Sequence, residues 1–344
     1  MKNKLQGCLI GAAIGDSLGL PYEGLSSSVG KKLFGTPDKH KLLFGLGMVS
    51  DDTEHLVIVL NSFRQAKGDV ENFSKILASK LKLWTLVLPI GVGKASLVSG
   101  IKLLFGYSYK NSGIFSAGNA PAMRVSVLGL LCEDNNKLKD FVKRTTNISH
   151  TDPKAYRGAL AIAVGAKLAS ENNKVDPNSF LEQFKSINNS KSQEFDAILE
   201  KTIKSVSANQ STQKFAESLG LIKGVSGYTY HTVPVALHGW LSNQNNFRDG
   251  LMSIIQCGGD TDTVGSIVGS LIGIQVGIKN IPLNWRRGLF DYPLNEKNLS
   301  QISMDTFRRS LLKELIVIPI RQILLLILII FHYIYRALGS LILK

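Results

Sequence analysis

GGDTDTVGSIVGSLIGIQVG, residues 258–277, sets two carboxylates, Asp260 and Asp262, among hydroxyls at the head of a strongly apolar segment. The segment predicts a buried helix whose N-terminus carries acid groups. Far upstream, Ser50-Asp51-Asp52-Thr53 repeats that chemistry directly before EHLVIVLNSFRQ. Helix capping and the positive helix end account for either segment taken alone. Together they ask for more, because one cap needs one acceptor and these segments supply four carboxylates beside apolar helices. Neither has a Lys or Arg beside it at helical spacing, and buried carboxylates without a cation are costly. Oxygen donors without His or Cys at zinc spacing point to a hard divalent cation, Mg²⁺, Mn²⁺ or Ca²⁺. Neighbouring acids such as Asp51 and Asp52 can serve two ions about 3.5–4 Å apart. The pair Gly258-Gly259 lets the backbone approach such a site closely.

Outward from these motifs the chain reads as helices joined by short polar loops. Residues 54–67, 72–86, 155–170 and 249–255 carry apolar side chains at three- and four-residue spacing. Residues 172–213 are rich in Asn, Ser, Lys and Gln but keep helical spacing, and they predict a pair of solvent-facing helices. Hairpin signals are scarce, and no fixed-period repeat is visible. The expected fold is all-α, with one domain over residues 1–300 and a basic, hydrophobic tail over 301–344.

Composition narrows the function classes. The 344 residues hold 40 Lys and Arg against 26 Asp and Glu, a formal charge of +14. The basic residues are scattered rather than interleaved with aromatics in a patch, so no nucleic-acid partner is expected. Three distant cysteines, Cys8, Cys132 and Cys257, build neither a disulfide framework nor a zinc site, which fits a reducing, cytoplasmic compartment.

The two ends differ. MKNKLQGCLIGAAIGDSLGL begins like a secretory leader, but Gly7, Gly11, Gly15 and Asp16 interrupt its apolar run. A helix packed closely on a neighbour through its small residues explains the glycines better. At the other end, LIVIPIRQILLLILIIFHYIYRALGSLIL follows Arg308, Arg309 and Lys313. Fourteen residues separate Arg321 from Arg336, fewer than the roughly 20 of a spanning helix, although both arginines can snorkel. This segment is expected to associate with a membrane, as a tail anchor or as an interfacial helix.

Two loops complete the set of candidate sites. Ala117-Gly118-Asn119-Ala120-Pro121-Ala122-Met123-Arg124 can present backbone N–H groups to phosphate with Arg124 as counter-charge; a tight helix crossing with a structural Arg124 is the competing reading. His150, in SHTDP, is a turn residue or a ligand contact.

Taken in order, these segments resemble the ADP-ribosylglycohydrolase family. GCLIGAAIGDSLGLPYEG is similar to its G-x-x-x-G-D-x-L-G opening with a following Glu, here Glu23. SDDT and GGDTDTVGSIVGSLIG resemble its two metal motifs, AGNAPAMR its G-N-G-x-x-M-R segment, SHTDPKAYRGALAIA its histidine segment, and GYTYHTVPVALHGWL its Gly-Tyr segment. The resemblance spans about residues 5–277. It implies a compact all-α hydrolase with two Mg²⁺ ions (or Mn²⁺) held by Ser50, Asp51, Asp52, Asp260, Asp262 and Thr263. It further implies catalytic roles for Glu23, Asp52 and Asp260. Gly118, Asn119, Ala120 and Met123 would line the phosphate and ribose path, with His150 facing the ligand and Tyr228 stacking on adenine. The partner implied is an ADP-ribosylated protein or an ADP-ribose derivative; a silent ADP-ribose-binding protein on the same fold is the alternative. Ala120 and Pro121 depart from the family pattern, and Pro121 removes one N–H that could have met phosphate.

Overall fold

The structure, a computed structural model, describes residues 1–87, 91–188, 192–306 and 311–342; the side chains of 311–315 and 340–342 lie outside that description. The first half holds α1 (Lys2–Gly19), α2 (Ser27–Phe34), α3 (Asp51–Ala66), α4 (Val70–Leu86), α5 (Lys94–Leu104), α6 (Ala120–Met123), α7 (Ser126–Leu131), α8 (Asn135–Asn147) and α9 (Pro153–Glu171). The second half holds α10 (Pro177–Ile187), α11 (Gln193–Ser207), α12 (Thr212–Ser218), α13 (Thr229–Ser242), α14 (Phe247–Ile255), α15 (Thr261–Val276), α16 (Leu283–Arg287), α17 (Glu296–Ser303) and α18 (Leu311–Ile342). Two-residue strands β1 (Leu25–Ser26) and β2 (Gly258–Gly259) pair antiparallel. The fold is all-α, and the polar stretch 172–213 supplies two helices, α10 and α11.

Loop chemistry starts many of these helices. Asp69, Asp134, Asp152 and Asp176 each accept a backbone N–H from two or three residues on, closing the ends of α4, α8, α9 and α10. Each such cap contributes about 1 kcal/mol.

The core is organised by the crossing of α1 with α15, around which α9, α13 and α14 pack. The two helices run antiparallel, and the register is set by residues without side chains. Gly7 meets Gly273, Gly11 meets Gly269, Gly15 meets Gly265, and Gly19 meets the Thr261 carbonyl. A Cβ on Gly15 would fall inside the Gly265 carbonyl, and the other three would collide with backbone in the same way. We expect Gly15→Ala to force the helices apart and to destabilise the protein by about 3 kcal/mol, the upper range for overpacking a rigid core. Urea unfolding would measure this; an unchanged midpoint would mean that the crossing is looser than described.

α18 lies against the body. Arg321 is 6% exposed: its Nε donates to Asp291 Oδ1 at 2.8 Å, its Nη2 to Asp291 Oδ2 at 2.5 Å and to the Val49 carbonyl at 2.7 Å, and its Nη1 to Glu54. Gln322 donates to Glu54 at 3.0 Å. Leu325 is buried with Leu20, Leu42 and Met48, and the His332 ring stacks on Phe34 while Nε2 meets the Pro21 carbonyl at 3.0 Å. The side chains of Arg308, Arg309 and Lys313, which the sequence reading placed before the apolar run, fall outside the described residues.

Candidate acidic active site

The α1–α15 crossing delivers two carboxylate-bearing ends to the start of α3. Asp16, on the last turn of α1, accepts from Ser50 N at 3.0 Å, from Thr53 N at 3.2 Å and from Thr53 Oγ1 at 2.6 Å. It therefore closes the N-terminus of α3 from outside that helix. Ser50, the N-cap, accepts from Asp52 N and donates to Asp52 Oδ2 at 3.0 Å. Thr263 Oγ1 donates to the same Asp52 oxygen at 3.2 Å, tying the head of α15 to the head of α3.

The glycine pair has a defined task here. Gly258 and Gly259 hold left-handed φ of +75° and +83°, and Gly259 fits between β1 and the Val225 segment, where a Cβ would strike Val225. The turn this produces aims Asp260 and Asp262 inward and draws the Glu23 loop alongside through Gly24 N to Gly259 O, 2.7 Å. Asp260 accepts from Asn119 Nδ2 at 2.6 Å, and Asn119 is itself held by Thr232.

Asp16, Asp51, Asp52 and Asp262 are buried, and Glu23 and Asp260 are partly buried beside them. Burial pushes Asp16 up to about 6 despite the hydrogen bonds it accepts from Ser50 and Thr53, and it pushes Glu23 up to about 7, with Asp260 raising Glu23 further and Arg336 of α18 opposing. Asp51, Asp52 and Asp262 are driven well above the usual carboxylate range. Burial is the main cause for each, reinforced by Glu54 for Asp51, by Asp16 for Asp52 and by Glu23 for Asp262. Among the described residues no three His, Cys, Asp or Glu side chains close into a ready-made metal cage. Yet Asp52 Oδ1 and Asp262 Oδ1 are buried with no hydrogen-bond partner. Orphaned carboxylate oxygens among hydroxyls and further carboxylates are a donor set that suits a hard divalent cation.

The two remaining motifs meet the acids from one side. Gly118 pairs with Tyr228, and Thr229 donates from N to Ala117 O at 2.9 Å and from Oγ1 to Gly118 O at 2.7 Å. Gly118, Asn119 and Ala120 are partly exposed on this seam, whereas Met123 turns into the core. Pro121 occupies the first turn of α6, where a helix leaves its N–H groups unpaired in any case. His150 is buried behind Gly118, with Nδ1 2.8 Å from Ser149 Oγ. Burial, with Arg124 nearby, lowers it to about 3, so the ring is neutral. Tyr228 is half-buried; its hydroxyl accepts from Lys154 at 2.8 Å, and His231 stands edge-on to its ring.

Arg124 takes the structural of the two roles that the sequence left open. It is fully buried and donates to Thr145 O at 2.6 Å and Ser149 Oγ at 2.7 Å, with His55 Nδ1 3.2 Å away. It is a structural group that fixes the His150 loop, since a guanidinium so enclosed has no route to a bound phosphate. Asp16 is the residue that sequence reasoning passed over. Its signal was there, an aspartate inside an apolar helix, which requires partners.

The geometry defines the class: an all-α protein whose two central helices and α3 gather buried acids at one point. The ADP-ribosylglycohydrolase family matches residues 1–315, and the chain belongs to that family. It is 29% identical to an uncharacterized protein of Archaeoglobus fulgidus (85% of this chain, 93% of that one). It is 25% identical to ADP-ribosylhydrolase ARH3 of Gallus gallus (83% and 88%) and 23% identical to the ADP-ribosyl-[dinitrogen reductase] glycohydrolase of Rhodospirillum rubrum (81% and 87%). A solved ADP-ribosylglycohydrolase-related protein complex shares the fold, with a TM-score of 0.65 at 22% identity over 89% of this chain and 98% of that one. Family and relatives together support an ADP-ribosyl hydrolase activity.

Proposed function

We propose that this chain is a divalent-metal-dependent hydrolase that frees ADP-ribose from modified protein side chains, with water attacking the ribose anomeric carbon and an arginine or serine linkage being cut. The observation that carries the metal part is the pair of orphaned, buried oxygens, Asp52 Oδ1 and Asp262 Oδ1, on helix ends joined by the Thr263–Asp52 bond. Ser50, Asp51, Asp52, Asp260, Asp262 and Thr263 would hold the ions, Mg²⁺ first and Mn²⁺ as its substitute. When bound, such ions supply positive charge that orients ribose hydroxyls and polarises water.

The protein's own groups do the rest. Glu23, raised to about 7, exists at neutral pH in both forms and is suited to take a proton from water or give one to the departing nitrogen or oxygen. Asp16 keeps the α3 end in place, and Asn119 fixes the rotation of Asp260 by donating to it. The diphosphate would run along the partly exposed seam at Gly118, Asn119 and Ala120, where the Gly118 and Asn119 N–H groups are already held by Ser116 and Gly227, and the Tyr228 ring offers a face for adenine.

The test is release of ADP-ribose from an ADP-ribosyl-arginine peptide, an ADP-ribosyl-serine peptide and O-acetyl-ADP-ribose, each with Mg²⁺, Mn²⁺ or EDTA. We expect turnover of at least one peptide with Mg²⁺ and its loss in EDTA. Turnover indifferent to EDTA would overturn the metal assignment. ADP-ribose binding by calorimetry without product from any substrate would establish the silent binder instead.

A further inference from the structure

The two faces of α18 have opposite characters. At about 100° per residue, Arg321, Gln322, Leu325, Leu328, Ile329, His332 and Arg336 fall on one arc, and this arc is buried or partly buried against the body. The opposite arc is Ile316, Ile320, Ile323, Ile327, Ile330, Phe331, Ile334 and Leu338, without a charged group along its whole length and about half exposed throughout. The turn at Leu43–Gly45 packs on α18, its neighbours Leu42 and Met48 meeting Leu325 of the docked arc, and Phe44 is left-handed, φ +63°, and 89% exposed.

The 24 residues 316–339 make a helix of about 36 Å, long enough to cross a bilayer. Crossing would surround the helix with lipid, which the docked arc forbids: Arg321 is saturated by Asp291, Glu54 and the Val49 carbonyl, and His332 by the Pro21 carbonyl. Only about a fifth of its most apolar stretch is buried, so α18 is not a core helix either. An uncharged apolar stripe on a docked helix suits the acyl boundary of a lipid surface, and the chain's net charge of +14 favours an anionic one.

We infer that the exposed arc of α18 seats in the plane of an anionic membrane surface while the opposite arc stays fastened to the hydrolase body. The protein is then a peripheral, one-sided membrane protein rather than a tail-anchored one. This does not depend on the chemistry of the acidic site, because lipid binding is read without substrate.

The experiment sediments full-length protein with phosphatidylcholine vesicles that do or do not contain phosphatidylglycerol, next to the triple variant Ile323→Gln, Ile327→Gln, Ile330→Gln. These three side chains are on the exposed arc, so the variant keeps the Arg321 network, and its thermal unfolding should match the parent. Expected is binding of the parent that is at least tenfold stronger with phosphatidylglycerol, extraction of bound protein by alkaline carbonate, and at least a tenfold loss in the variant. A parent that stays in the supernatant overturns the inference. So does resistance to carbonate, which means a spanning helix, or a lipid-independent dimer that the triple variant dissolves, which means a second copy covers the stripe.

Discussion

Asp262→Asn will lower turnover by about 100- to 1,000-fold, the loss typical of removing one pre-aligned electrostatic group from a catalytic centre, while making the metal-free protein more stable. The two effects share one cause. Asp262 Oδ1 is buried without a partner, and burial together with Glu23 and Asp260 pushes its carboxyl well above the usual range. A carboxylate raised in this way takes up more protons folded than unfolded. The contribution of this group to stability is therefore full at and below the unfolded value, about 4, and is lost as pH rises toward the folded one. In EDTA, the melting temperature of the parent should fall between pH 5 and pH 8, and the variant should fall less steeply. The variant's advantage should widen with pH to about 1–2 kcal/mol, the usual gain from relieving such a site. Saturating Mg²⁺ should narrow the difference, since a cation can replace the missing protons. Full activity in the variant, or a lower melting temperature in EDTA, would show that Asp262 neither holds a cation nor stores strain.

Arg321→Ala will destabilise the protein by about 3–5 kcal/mol, the range for removing one partner of a buried ion network. It leaves Asp291, 1% exposed, and the half-buried Glu54 without their cation. The damage should reach the acidic site, because Asp291 Oδ2 also accepts from Val49 N at 2.9 Å and Arg321 donates to the Val49 carbonyl. Val49 precedes the Ser50 cap, so α18 fastens the segment that enters the first acidic motif. Limited proteolysis should then cut within α18, and Arg321→Lys should restore only part of the stability, since an ammonium cannot reproduce the forked contact. Equal stability of parent and Arg321→Ala would mean that α18 rests on the body without holding it.

Much of this was legible in the chain. The three- and four-residue spacing located α3, α4, α9 and α14, because a surface helix has to turn one apolar stripe inward wherever it ends up. The acidic motifs were legible as helix N-termini because small acceptors directly before apolar runs mark that end; Ser50 does cap α3, whereas Asp260 heads α15 without capping it and accepts from Asn119 instead. Gly7, Gly11 and Gly15 signalled a close helix contact, although not with which partner. For Arg124 spacing favoured an internal brace but left an anion ligand open, since an arginine beside a glycine loop can serve as either, and its burial decides for the brace.

By itself, then, the sequence determined what depends on neighbours along the chain: the helices, their caps, and the grouping of acids with hydroxyls at two of their starts. The tertiary structure decided what depends on residues on different elements, from 30 to 267 positions apart. It matched Gly15 to Gly265, brought Asp16 to the head of α3, set Thr263 against Asp52, and laid Arg321 between Asp291 and Glu54. The physical reason is that a buried charge or a missing side chain announces only that it needs a partner. Which partner answers is fixed by how the helices pack, and that is a property of the whole chain.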